Sequence, residues 1–291
     1  MIALLIITVV ALFLGATIVI VLKGFSSPSN LSFGDKIGVI PIYGAISESQ
    51  AITSQLVKFK KDKGIKAIIL RINSPGGGVG ASQEIHREVQ RTVKAKKVIA
   101  SMGGVAASGG YYIAAAADKI VANPGTITGS IGVLMEFLWA EDLLNKIGVK
   151  LEVLKSGEFK DTGGPHRKLT KRDKELLNAL IAEIRRQFVE AVAEGRDLSL
   201  EKADEIADGR IFSGSQAREL GLVDVLGNFQ DAVELAKEMG GIKGDVTLVY
   251  PKKSKSQIWD LFLDKTFNSL TELLRNMTTR VEYRWNGLQD Y

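Results

Sequence analysis

The chain of 291 residues contains no cysteine and only two histidines, His86 and His166. The first absence excludes disulfides, a thiolate nucleophile and any Cys-based metal site. The second excludes a His-rich metal site, and a histidine-dependent triad has only these two residues to draw on. An excess of one charge is also missing: 38 Lys and Arg stand against 33 Asp and Glu, a net of +5. No basic block is long enough to suggest nucleic acid as a partner. No low-complexity segment and no clear internal repeat stands out. What remains, 45% hydrophobic and 24% charged residues, is ordinary for a globular protein. The length suits one large domain or two modest ones.

Charge is wholly missing from the N-terminus. "MIALLIITVVALFLGATIVIVL" runs 22 residues before Lys23. At about 1.5 Å per residue such a run can cross roughly 30 Å of hydrocarbon. A cleaved signal peptide would show a basic residue before the apolar run, a shorter core and an A-x-A-like site, and none is present. The sequence therefore predicts an uncleaved transmembrane anchor over 1–23, with a linker over 24–35. One nearby lysine is too little charge to set the orientation.

From Lys36 onward short apolar runs alternate with amphipathic ones. "KIGVIPIYGAI", "AIILRIN", "KVIASM", "KIVANP", "GSIGVLM" and "KLEVLKSG" read as strands. "SQAITSQLVKFKKDK", "GASQEIHREVQRTVKAK", "ASGGYYIAAAA" and "WAEDLLNKIG" read as helices. Residues 169–196 form one long helix, with Thr170 as its N-cap and Asp173 three residues on. Helices at 200–207, 214–220 and 229–239 and a last strand in "DVTLVY" complete an α/β pattern of parallel βα units. The tail, "SQIWDLFLDKTFNSLTELLRNM", has apolar residues at helical spacing. It predicts an amphipathic helix within 251–291, against a membrane surface or a partner subunit.

Two Gly-rich segments follow buried strands, where α/β chemistry usually sits. "NSPGGGVG", 73–80, is either a plain turn or a place where backbone N–H groups approach negative charge. "ASGG", 107–110, puts Ser108 where a strand gives way to a helix. Small residues there suit tight helix packing as well as a nucleophile. A serine nucleophile needs a base. His86 lies mid-helix among charged neighbours and reads as solvent-facing. His166 is on a loop. A desolvated lysine is the other option, with Lys155 and Lys160 in "KSGEFKD". The residues by themselves do not choose among these.

The array "INSPGGGVGASQEIH … SMGGVAASGGYYIAAAADKIVANPGTITGSIGV … LKSGEFKD … ADGRIFSGSQARELGLVD" resembles the signal peptide peptidase family over roughly residues 36–240. Those are membrane-anchored Ser/Lys proteases with a Clp protease/crotonase-like α/β fold of repeated ββα units. The resemblance implies a Ser/Lys peptidase domain over 36–250, in the family's short, single-repeat form. It implies Ser108 as nucleophile, Lys160 as buried general base, and Lys155 as a non-catalytic position. Gly77 and Gly109 would supply the oxyanion hole, and Ser130 would hold the lysine. No cofactor or metal is implied. The expected substrates are cleaved signal peptides and other apolar segments. The expected setting is the cell membrane, with lipid as a partner, a single span and the catalytic domain outside the cytoplasm. The family forms homo-oligomers in which neighbouring subunits share an active site. A crotonase-type acyl-CoA enzyme and a non-catalytic membrane scaffold are the competing readings.

Overall fold

The computed structural model describes residues 34–251 and 281–284. The chain divides into two units, Met1–Gly34 and Asp35–Tyr291, and all the strands and helices named here belong to the second. The expected membrane span at 1–23 and the expected tail helix lie outside the described residues. Among those described, no helix is long and apolar enough to cross a membrane.

The elements run β1 (Lys36–Tyr43), α1 (Gln50–Lys61), β2 (Ile65–Ser74), β3 (Gly76–Gly78), α2 (Val79–Val93), β4 (Lys97–Ala107) and α3 (Gly109–Ala115). There follow β5 (Lys119–Ala122), β6 (Ile127–Gly129), β7 (Leu134–Met135), α4 (Glu141–Lys146) and a 3₁₀ turn (Glu158–Asp161). The long α5 (Lys171–Arg196) precedes α6 (Leu200–Glu205), β8 (Ile211–Ser213), α7 (Gly214–Glu219) and β9 (Val225–Leu226). Last come α8 (Phe229–Met239), β10 (Thr247–Val249) and β11 (Val281–Arg284).

The main sheet has the order β10-β1-β2-β4-β5-β9, with β6 joined to the upper part of β4 and β8 to β6. All of these pairs are parallel except β6–β8. Both faces are covered, so the central strands are apolar almost throughout. In β2, Ile68, Leu70 and Ile72 enter one core while Ala67 and Ile69 enter the other. The first core also takes α3 and the Phe188 face of α5; the second takes Ala232, Val233 and Ala236 of α8. The helix α5 starts as the sequence predicts. Thr170 Oγ1 accepts from the Asp173 amide, and the Asp173 carboxylate accepts from the Thr170 amide.

Several expectations fail. "KLEVLKSG" forms no strand; the segment is irregular and exposed, with Leu154 at 91% exposure. It finds no partner strand among the described residues, and a strand needs one. "GSIGVLM" is not one strand but the end of β6, an irregular stretch and β7. His86 is not solvent-facing: it is buried against Tyr112, with ring centroids 4.6 Å apart. Its helix packs against α3 as well as α1, so the buried stripe is wider than the neighbouring charges suggest. Residues 281–284, which follow the apolar stretch expected to be helical, form a short strand and leave that expectation untested.

Candidate active site

The site begins with an irregularity in β4. Between the Ile72–Met102 and Ser74–Ala106 pairs the register shifts, so β4 carries extra residues relative to β2. The Asn73 side chain fills the gap and accepts from the Val105 amide at 3.1 Å. From the other side, Thr126 Oγ1 donates to the Gly103 carbonyl and Thr128 Oγ1 to the Ala106 carbonyl, each at 2.7 Å. The bulged strand is thus pinned on both edges before it reaches Ser108.

Ser108 sits between β4 and α3 with φ 53° and ψ −119°. An L-residue pays a steric penalty in this region, and such strain persists only when the surroundings enforce it. Here the Ser108 amide donates to the Gly129 carbonyl and its carbonyl accepts from the Tyr112 amide, each at 2.8 Å. Beneath it, α3 is buried along its whole length. The Tyr111 hydroxyl anchors the helix by donating to the Leu222 carbonyl at 3.0 Å. Burial pushes the Tyr111 hydroxyl pKa far up, so it stays a neutral donor.

Gly109 follows Ser108 at the start of α3. Gly77 lies in β3, which packs against that helix. Ser74 shapes the approach: its hydroxyl donates to the Gly44 carbonyl at 2.7 Å and accepts from the Gly76 amide at 3.1 Å. Ile46 then bonds both flanks of Gly77, donating to the Gly76 carbonyl and accepting from the Gly78 amide, each at 2.8 Å. A Cβ at Gly77 would lie 2.2 Å from the Ile46 carbonyl oxygen, so no side chain fits. Ser130 is the residue after the Ala107–Gly129 pair, at φ 49°, with its amide donating to the Arg210 carbonyl at 2.8 Å. Ser108, Gly109, Gly77 and Ser130 therefore gather where β2, β4 and β6 end.

Lys160 is not with them. It lies in the 3₁₀ turn, exposed, and among the described residues its side chain bonds neither Ser108 nor Ser130. The burial expected for it is not reached within one chain. Its neighbours are nonetheless held firmly. Asp161 takes Arg167 and Lys155 on one oxygen, at 2.7 and 2.8 Å, and His166 on the other at 3.4 Å. Arg167 also reaches the buried Asp173 at 2.6 Å, and Thr162 donates to Asp173 at 2.5 Å. The Arg167 bond, helped by Lys155, holds the Asp161 carboxyl far below the usual range. Arg167 and then Thr162 do the same for Asp173. The two histidines and Lys155 are thus occupied elsewhere: His86 in the core, His166 and Lys155 on Asp161.

Among known proteins, the family described as Peptidase family S49 matches residues 90–243. A Synechocystis sp. protein named as a protease is 45% identical over 219 residues, covering 75% of this chain and 79% of that protein. The chain belongs to peptidase family S49. It is a serine protease with a Clp protease-like α/β domain, and the family described as Clp protease matches residues 35–126. A Methanocaldococcus jannaschii protein, also named as a protease, is 34% identical over 263 residues, 85% of each chain. An Enterococcus faecium protein named as a signal peptide peptidase is 40% identical over 190 residues, 65% of this chain and 55% of that protein. Membership in a peptidase family removes the acyl-CoA enzyme and the non-catalytic scaffold as readings. The S49 match contains Ser108, Ser130 and Lys160, and the Clp match contains Gly77.

Sequence reasoning misses the parts of this peptidase's site that carry no chemical signature. Asn73, Thr126 and Thr128 are small polar residues whose meaning appears only once the bulge is seen. Arg167 reads in sequence as one more surface charge. The β3 and β11 strands are too short for any period to show.

Proposed function

We propose that this S49 peptidase cleaves peptides with Ser108 as nucleophile and Lys160 as general base. The observation that carries the reading is the backbone of Ser108, a buried non-glycine residue held at φ 53° and ψ −119° where a strand meets a helix. Strain of this kind gathers at functional sites. Lys160, in its neutral form, takes the Ser108 hydroxyl proton as the oxygen attacks the scissile carbonyl. The Gly77 and Gly109 amides stabilise the oxyanion. The lysine ammonium then protonates the leaving amine, and water hydrolyses the acyl-enzyme by the same steps in reverse. Ser130 holds the lysine amine. No metal or cofactor takes part.

Lys160 reaches Ser108 from a neighbouring subunit of a homo-oligomer. Its exposure within one chain supports this, and so does the surface it stands on. Leu138, Leu143, Ile147, Leu151, Leu154 and Phe159 are all exposed along one stretch. So much exposed apolar side chain in one segment marks an interaction surface. The unpaired "KLEVLKSG" segment belongs to it, and a second copy would bury it.

The substrates are cleaved signal peptides and other apolar segments, supported by the name of the Enterococcus faecium relative. The uncharged residues 1–22 support a single-span anchor over 1–23 that holds the enzyme at the cell membrane beside such substrates. A linker over 24–35 joins the anchor to a catalytic domain over 36–250 on the extracytoplasmic side, and 251–291 forms a tail. An active-site serine probe tests the chemistry. A fluorophosphonate should label Ser108, located by peptide mapping, and labelling should vanish in Ser108→Ala. Modification at another serine alone would overturn the assignment.

A further inference from the structure

Lys160 stands on a slight support. The 3₁₀ turn that carries it is four residues long, and none of the four is buried as a whole. Its backbone bonds are long: the Lys160 amide donates to the Gly157 carbonyl at 3.3 Å and the Thr162 amide to the Phe159 carbonyl at 3.2 Å. Bonds of the 3₁₀ type have poorer geometry than those of an α-helix, and so short a turn does little to hold itself. A base needs a fixed position, because a displacement of about 1 Å can cost about 100-fold in rate.

The two residues after Lys160 tie the turn to the scaffold. Thr162 Oγ1 donates directly to the Asp173 carboxylate. Asp161 reaches the same carboxylate through Arg167, whose guanidinium bonds Asp161 at 2.7 Å with one nitrogen and Asp173 at 2.6 Å with the other. The two carboxylate side chains are only 8% and 2% exposed. Asp173 in turn closes the cap of α5 with Thr170, and α5 is fixed in the core through Phe188. The chain folds back to bring Arg167 into place. Gly163 takes φ 80°, and the Gly164 amide donates to the Asp161 carbonyl at 3.0 Å. Lys155 and His166 also bond Asp161, but among the described residues only Arg167 bonds both carboxylates.

We propose that Arg167 is a positioning residue for Lys160: by bonding Asp161 and Asp173 together it fixes the 3₁₀ turn on α5 and so sets where the lysine amine is presented to Ser108. The proposal rests on the reading of Lys160 as the base. A planar guanidinium holds two carboxylates at once in a set geometry, which a lysine ammonium on a flexible stem does not reproduce.

The test uses the full-length protein and the full-length variants Arg167→Ala, Arg167→Lys, Asp161→Asn and Arg167→Ala/Asp161→Asn, with Lys160→Ala beside them. kcat and KM for a short apolar peptide and the rate of fluorophosphonate labelling at Ser108 are measured well below each variant's melting temperature. Arg167→Ala should lose kcat by about 30- to 100-fold, with KM within about twofold of wild type and labelling slowed in step. Arg167→Lys should fall between the two. Asp161→Asn should also lose kcat, and the double variant should lose no more than Arg167→Ala, because both changes break one link. Should Arg167→Ala fail to fold, Arg167→Lys and Thr162→Val carry the same test with losses of kcat of about 3- to 10-fold. Wild-type kcat in the folded Arg167 variants, a loss carried by KM alone, or additive losses in the double variant would overturn the proposal. With Lys160→Ala inactive in the same series, the base reading would then still stand. Wild-type turnover in Lys160→Ala would overturn the base reading, and the proposal with it.

Discussion

The Ser108 amide donates to the Gly129 carbonyl at 2.8 Å, and that one bond fixes the distance between two loops. It closes the β4–β6 ladder at its end, so Ser108 and Ser130 emerge side by side, at φ 53° and φ 49°. The only other described non-glycine residue at positive φ is Asp197, the left-handed cap of α5. Two strained serines at adjacent strand ends, against one ordinary helix cap, separate the site from the scaffold. Ser108→Ala should keep the fold, shown by an unchanged melting temperature within a few degrees, and should lose peptidase activity by about 10³-fold or more. Ser130→Ala should lower kcat and leave KM nearly unchanged, because in the proposed dyad Ser130 holds the base and does not contact the peptide. A pure KM effect would assign Ser130 to substrate binding.

Lys160 and Lys155 are five residues apart, and the structure gives them different surroundings. Lys155 spends its ammonium on Asp161 and on the Glu158 carbonyl, at 2.8 and 3.0 Å. Lys160 Nζ has no such bond among the described residues. Lys160→Ala should therefore abolish turnover to the same extent as Ser108→Ala. Lys155→Ala should retain most activity, since removing one half-exposed ion pair costs little. Normal steady-state kinetics in Lys160→Ala would return attention to His166.

Arg167 joins Asp161, next to the proposed base, to Asp173 in the first turn of α5. Both carboxyls are held far below their usual range by that guanidinium. The unfolded chain therefore takes up protons at higher pH than the folded one does. The stabilisation is complete above the unfolded carboxylate pKa of about 4 and is lost as pH falls below it. Arg167→Ala should be less stable than wild type at pH 7, and the gap measured by urea unfolding should shrink steadily below about pH 4. A gap independent of pH would mean that Arg167 acts through packing alone.

His86 works in the other part of the pH scale. Burial, with a smaller contribution from Arg87, lowers its pKa from 6.5 to about 4. Its Nε2 is buried with no partner among the described residues. Folded His86 stays neutral while the unfolded histidine charges first, so its stabilisation is complete above about pH 6.5 and falls as the pH drops toward 4. Between pH 7.5 and pH 5 this is worth about 2 kcal/mol of unfolding free energy. His86→Gln should lose that part of the slope; an unchanged slope would show that His86 is solvated in the folded state.

How much of this the sequence carries depends on whether the cause is local. The α5 start is legible because Thr170 and Asp173 cap each other within one turn. The core strands are legible because burial on both faces leaves β2 with an almost unbroken apolar run. Ser108 and the glycines are legible only as small residues at strand ends, a pattern that packing shares, and it is the family resemblance that gives them their expected roles. The failures are non-local. His86 is buried by Tyr112, 26 positions away, and its neighbours in sequence misreport its surroundings. "KLEVLKSG" has a strand's composition, but only a partner makes a strand, and none lies within the described residues. The partner of β3 comes from residues 281–284, some 200 positions downstream, which no local pattern announces.

A second copy of the chain is the partner that the shared-site reading supplies to "KLEVLKSG", and it makes activity depend on assembly. One subunit then provides Ser108 and its neighbour provides Lys160, and a head-to-tail interface repeats the arrangement around a closed ring. Ser108→Ala and Lys160→Ala chains should each be inactive alone and partly active when co-expressed. With random mixing and equal expression, a good Ser108 meets a neighbour's good Lys160 at about a quarter of the sites. Size-exclusion chromatography with two different tags confirms that mixed oligomers have formed, and turnover per site is then compared with wild type. A dyad built within one chain gives no recovery, because every chain lacks one member. Silence from verified mixed oligomers would therefore place both residues in the same chain, and would require the exposed 3₁₀ turn bearing Lys160 to move toward Ser108.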